Sequence, residues 1–252
     1  MFVRKHSHRH AWRLALCAAL CAAGLGCGAD VPTPAGEAQA GRAASPETAA
    51  EAEAPDAPES ASESAESGAP LVAFLGDSLT AGFGLAKDRA YPAVIERTLR
   101  EEGHPIRLLN AGVSGDTSAG GLNRLPAVLK QHPDVLVVAL GGNDGLRGLP
   151  TESIRKNLKA IVEAAREQGV QVLLLGLKMP PNYGPEYTES FERIYPDVAD
   201  ELDVPLVPFM LAGVAGDPEL NQGDGIHPTA DGQALVAGNV LPALRELLEK
   251  SP

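Results

Sequence analysis

Beyond residue 27 the chain has no cysteine: Cys17, Cys21 and Cys27 are the three it contains. The body can therefore hold no disulfide framework, no cysteine-ligated zinc and no cysteine nucleophile. Basic residues are scarce as well, with 21 Lys and Arg against 33 Asp and Glu and a net charge of −12. An acidic body argues against nucleic-acid binding, which needs a basic face. No repeat period is visible, and no G-x-S-x-G occurs anywhere. That last absence excludes the common nucleophile elbow of α/β-hydrolases.

The ends of the chain differ in character. Arg4, Lys5, Arg9 and Arg13 precede the apolar run Leu14–Leu25, and small residues follow. This order is that of a secretory signal, residues 1–27. The run is about a dozen residues, short of the roughly 20 that cross a bilayer. "GLGC" at Gly24–Cys27 resembles a bacterial lipobox, with Gly24 where leucine is usual, and makes Cys27 a candidate for lipidation. Plain cleavage near Ala29 is the alternative. Residues 28–70 are nearly all Ala, Pro, Glu, Ser and Gly, with nine acidic residues against Arg42 and no aromatic. Such a segment cannot bury enough apolar surface to offset chain entropy, so it is expected to be a disordered linker. Signal and linker together predict an exported protein, periplasmic or anchored to a membrane through Cys27, or else secreted.

From Leu71 to Pro252 short apolar runs alternate with helical segments. The expected strands are Leu71–Leu75, Ile106–Leu109, Asp134–Leu140, Val170–Leu177 and Pro205–Phe209. "VLVVAL" and "VQVLLLGL" are apolar throughout, as in strands buried on both faces. Residues 151–168 carry Ile154, Leu158, Ile161, Val162 and Ala165 at helical spacing, with Thr151 as the expected N-cap and Gly169 as the stop. Helices are also expected over Ala90–Glu102 and from about Thr229 to Lys250, the latter kinked at Pro242. Five alternations of strand and helix predict an α/β fold, a mostly parallel sheet with helices on both faces.

In such a sheet the ligand crevice lies outside the carboxyl ends of the strands. The five strands are followed by "GDSLTAG", "NAGVSGDTS", "GGNDGLRG", "KMPPNYG" and, after a loop, "DGIHP". Each alone reads as a turn, since Gly, Asn and Asp are turn residues. Together they supply the parts for acyl transfer. A hydroxyl nucleophile needs a base, and the base needs an orienting group. Of the body's three histidines, His104 and His132 precede strands and fall on the opposite edge, which leaves His227. Asp224, three residues earlier, is spaced to reach its imidazole. Ser78 is then the nucleophile, His227 the base and Asp224 the orienting carboxylate. Donors for an oxyanion are expected from the N–H groups of Ser78 and Gly115 and the side-chain amide of Asn143.

"GDSLTAG", "NAGVSGDTS", "LGGNDGLRG" and "DGIHP", in that order, resemble the sequence blocks of the SGNH hydrolases, also called the GDSL lipase/esterase family. The likeness runs from about Leu71 to Leu248, and within the family the chain resembles the bacterial thioesterase/lysophospholipase/arylesterase group. It implies a flavodoxin-like three-layer α/β/α sandwich with a five-stranded parallel sheet. It implies the same five residues, Ser78, Gly115, Asn143, Asp224 and His227, in the same roles, with no metal or cofactor. The expected substrate is a small-molecule or lipid ester. The resemblance also implies that Gly145–Pro150 moves over the acyl chain and that Met179–Tyr187 walls its pocket. Two alternatives stand beside this reading: a carbohydrate acetylesterase using the same residues, and a surface lipoprotein that binds lipid or glycan without catalysis.

Overall fold

The structure, a computed structural model, describes residues 68–250. The signal-like segment 1–27 with Cys27, and the linker as far as residue 67, lie outside the described residues. Five parallel strands form one sheet in the order β2-β1-β3-β4-β5. They are β1 (Leu71–Gly76), β2 (Arg107–Gly112), β3 (Val135–Ala139), β4 (Gln171–Leu175) and β5 (Leu206–Val207). The longer helices are α2 (Tyr91–Glu101), α3 (Ser118–Leu129), α5 (Thr151–Glu167), α6 (Pro185–Leu202) and α7 (Ala230–Glu249). Two short ones, α1 (Ser78–Ala81) and α4 (Gly142–Leu146), follow directly on β1 and β3. Helices α2 and α7 pack together on one face, and α3, α5 and α6 on the other. The fold is thus the α/β/α sandwich expected from the sequence.

The apolar runs became the centre of the sheet for the reason they stood out. Every residue of β3 is buried, and so are four of five in β4. The stripe on α5 is the buried set Ile154, Leu158, Ile161, Val162 and Ala165. Burying an aliphatic side chain of this size contributes roughly 1.5–3 kcal/mol.

Several boundaries differ from expectation. β2 runs on to Gly112, because Asn110, Ala111 and Gly112 pair in register with Phe74, Leu75 and Gly76 of β1. Three residues expected in the loop are therefore strand. β5 shrinks to two residues, which pair with Leu174 and Leu175 alone. Pro150, not Thr151, occupies the N-cap of α5, and the Thr151 hydroxyl pairs with Ser190 Oγ at 2.8 Å. Helix α7, by contrast, keeps its expected span, running through Pro242 to Glu249 with Thr229 as its N-cap, whose hydroxyl accepts from Gly232 N. At the other end, the carbonyls of Ala69 and Pro70 accept from Nε and N of Arg107, so the packed body takes in the last two residues assigned to the linker.

The strand order reverses between β1 and β3. A crevice forms at such a switch point, outside the carboxyl ends of the strands. Gly76 lies level with Gly112 of β2 and Ala139 of β3. The segments that follow these three strands therefore start at one height.

Candidate active site

The turn after β1 is held from several sides. Asp77 caps α1, its Oδ1 accepting from Leu79 N at 3.0 Å, which places Ser78 at the first helical position. Gly82, in the left-handed region at φ 71°, ends the helix after one turn. A helix this short has little stability of its own, so tertiary bonds must fix it. Asn110 Nδ2 donates to Thr80 O at 2.8 Å. Gln233 Nε2 donates to Leu79 O at 3.1 Å. Tyr91 Oη and Thr80 Oγ1 are 3.0 Å apart. α1 also lies directly on β2: a Cβ at Gly112 would come within 2.3 Å of Ala81 N, so no other residue fits there.

The segment before α7 brings the histidine to the serine. Asp224 Oδ1 accepts from the backbone N–H groups of Ile226 and His227 at 2.9 and 3.0 Å. Its other oxygen, Oδ2, lies 2.6 Å from His227 Nδ1. His227 Nε2 in turn lies 2.9 Å from Ser78 Oγ. The backbone N–H of His227, then the imidazole itself, hold the Asp224 carboxyl well below the usual carboxylate range. An ionised carboxylate here keeps the proton on Nδ1 and leaves Nε2 free to accept from the serine. Gln222 locks the segment in place. Its backbone N–H donates to His227 O, and its amide donates to Phe83 O and Pro228 O. The Phe83 ring covers the imidazole at a centroid distance of 4.5 Å.

The third part comes from the ends of β2 and β3. Asn143 lines the same cavity as Ser78 and His227. Its Nδ2 donates to Asp116 O at 2.9 Å and to Asp77 Oδ2 at 3.3 Å. That first bond ties the β2–α3 loop, at the residue after Gly115, to Asn143. Gly115 has φ +80°, a conformation that only glycine adopts at no steric cost. Arg124 staples this region from below: Nε donates to Asp116 Oδ2, Nη1 to Ala111 O and Nη2 to Gly76 O. On the far side Asp144, buried, accepts from both N and Oγ of Ser118. Asp77 itself is 2 % exposed. Burial pushes its carboxyl up to about 6, against the pull of the Leu79 N–H and of His227.

A cavity of about 640 Å³ opens beside Ser78, walled by Leu146, Leu177, Met179, Pro180, Leu211 and Ala215. Its size is that of a small-molecule site. Met179 and Pro180 belong to the stretch expected to wall a pocket. Pro181 lines it too, while the last three residues of the stretch, Pro185–Tyr187, are not loop but the start of α6. The segment after β3 is tied at three points. Tyr183 and Tyr187 hydroxyls donate to Leu146 O and Leu149 O, and Arg147 donates to Gly115 O. Sequence reasoning missed Asn110, Arg124, Gln222 and Gln233 as supports. For Arg124 the local signal was only an arginine in a helix with no other charged residue.

Residues 74–235 match the GDSL-like lipase/acylhydrolase family. The chain is 45% identical over 184 residues to Esterase TesA of Pseudomonas aeruginosa, covering 73% of this chain and 92% of that protein. It is 42% identical over 175 residues to Thioesterase 1/protease 1/lysophospholipase L1 of Escherichia coli, covering 69% and 83%. With an arylesterase of Vibrio mimicus the identity is 40% over 164 residues, covering 65% and 82%. The crystal structure of TesA superposes with a TM-score of 0.68 at 46% identity, covering 70% of this chain and 99% of that one.

Proposed function

The chain belongs to the GDSL-like lipase/acylhydrolase family and is an ester-hydrolysing enzyme; from that premise we propose that Ser78, His227 and Asp224 carry its chemistry. The observation that carries this assignment is the unbroken chain of contacts Ser78 Oγ–His227 Nε2 and His227 Nδ1–Asp224 Oδ2, at 2.9 and 2.6 Å.

In this proposal the steps are those of acyl transfer through a serine. Ser78 Oγ attacks the carbonyl carbon of a carboxylic or thioester while its proton passes to His227 Nε2. The imidazolium so formed is stabilised by Asp224. Negative charge collects on the former carbonyl oxygen, where the N–H groups of Ser78 and Gly115 and the Asn143 amide are the intended donors. The tetrahedral intermediate collapses, the alcohol or thiol leaves with the proton from His227, and acyl-Ser78 remains. Water then gives a proton to His227 and attacks the acyl carbon. Collapse releases the acid and restores the Ser78 hydroxyl.

The cavity favours a medium or long acyl chain over acetate, because its walls are apolar and its volume far exceeds one acetyl group. This supports a lysophospholipase- or thioesterase-like substrate over an acetylated carbohydrate. The test is a series of p-nitrophenyl esters from acetate to palmitate, with Ser78→Ala as control. Expected is a maximum at medium or long chains, lost by about 10⁶-fold in kcat in the folded variant. Activity confined to acetate would move the substrate to short acyl groups, and full activity of Ser78→Ala would end the assignment.

We further propose that the protein is exported and that Cys27 carries the lipid, with the acidic segment behind it as a spacer. The sequence order charged, apolar, "GLGC", acidic supports this. Labelling of wild type but not Cys27→Ser by an alkynyl fatty acid is expected; equal labelling, or none of either, refutes it.

A further inference from the structure

Asp77 is a buried carboxylate in the reactive cavity that takes no part in the proton transfers above. Its partners are two N–H groups, one on each oxygen: Leu79 N on Oδ1 and Asn143 Nδ2 on Oδ2. Capping α1 does not require a charge, since Ser, Thr or Asn serves equally well. A carboxyl that burial holds up at about 6 is a costly choice for a cap alone. The second oxygen accounts for it.

The Asn143 amide has two hydrogens. One goes to Asp116 O at 2.9 Å and the other points at Asp77 Oδ2. With an acceptor on each, the amide cannot turn over, because its oxygen would then face two acceptors. The contact with Asp77, at 3.3 Å, is longer than an ordinary N–H···O bond and the weaker of the two. It is therefore the hydrogen that a charged substrate oxygen can take over, while Leu79 N keeps Asp77 in place.

We propose that Asp77 is a positioning residue for the oxyanion site: it holds the Asn143 amide with its nitrogen toward the reaction centre and releases one hydrogen as the tetrahedral oxyanion forms. This role rests on those of Ser78 and Asn143 given above. It differs from capping in acting through Asn143, and that difference can be measured.

Asp77→Asn, Asp77→Ser, Asn143→Ala and the double variant Asp77→Asn/Asn143→Ala are compared in the full-length protein. Ester hydrolysis gives kcat and KM, and the rate of labelling by a fluorophosphonate probe extends the range to slow variants. Asp77→Asn retains an oxygen for Leu79 N but turns an NH₂ group toward that of Asn143, so the donor is displaced. Its kcat is expected to fall about 10²-fold, with KM nearly unchanged. Asp77→Ser keeps the cap without the second acceptor and should lose part of kcat; if Asp77→Asn does not fold, the same comparison is read from this variant. The double variant should be no slower than Asn143→Ala, because the two residues act as a unit. Wild-type kcat in both Asp77 variants, or losses that multiply in the double variant, would overturn the role of Asp77 alone. Wild-type kcat in Asn143→Ala would overturn the donor role of Asn143 beneath it.

Discussion

Replacing Asp77 by asparagine should flatten one component of the stability-versus-pH curve, by an amount set by the burial of this carboxyl. The group is 2 % exposed, and burial raises it from 3.8 to about 6. Between those two values the folded protein binds a proton that the unfolded chain has released. Stability therefore falls as pH rises through about 4 to 6, and levels off above it. At 1.36 kcal/mol per tenfold change in proton affinity, the full difference is about 3 kcal/mol. The titratable groups that face Asp77 are His227 and Asp116, with Tyr91 and Tyr195, which burial pushes above the ordinary tyrosine range. Arg124, bound to the neighbouring Gly76 carbonyl, completes the charged surroundings. All are common to wild type and variant, so they largely cancel in the difference. The assay is thermal unfolding followed by circular dichroism at pH 4 and pH 8 for both proteins. About 2.4 kcal/mol of that difference is present at pH 4, and for a domain of this size 1 kcal/mol moves Tm by about 2–4 °C, so the variant should gain roughly 5–10 °C relative to wild type between the two pH values. Any constant cost of the substitution drops out. A gap that does not change with pH, or one that moves the other way, would refute the account of a destabilised carboxyl retained for function.

Two further substitutions probe the supports and the cavity. Arg124→Met leaves Asp116 without its cation and frees the carbonyls of Ala111 and Gly76; denaturant titration should show a loss of about 3 kcal/mol, and steady-state assays a drop in kcat with KM little changed. Unaltered stability and kcat together would mean that the staple is idle. Ala215→Phe fills part of the apolar cavity, so the ester series should shift its maximum to shorter chains while activity on short esters is retained; an unchanged preference would place the acyl chain elsewhere.

How the site was legible depends on how local its signals were. Ser78, Asp224 and His227, which the structure brings into contact, could be proposed together because parallel strands bring their carboxyl ends to one edge, and only one histidine of the body follows a strand. The β3 run and the α5 stripe were equally plain, since period and burial go together. By contrast, α1 and α4 have four and five residues, and no propensity argument predicts helices that short. Pro126 and Pro196 lie inside α3 and α6, where packing overrides a residue that normally ends a helix. Gln233 reaches Leu79 across 154 residues of sequence, and nothing near either residue announces the bond.

The sequence by itself therefore determined the class of fold, the edge at which the polar segments gather and the residue types that meet there. Those follow from periodicity and from chemistry that needs a serine, a histidine and a carboxylate. Tertiary structure alone decided where β2 ends and how α1 is braced. It also buried the carboxylate of Asp77, the cap of α1, against Asn143. These depend on a few ångströms of approach between segments far apart in the chain, and a carboxylate's surroundings exist only once the strands that create them have paired.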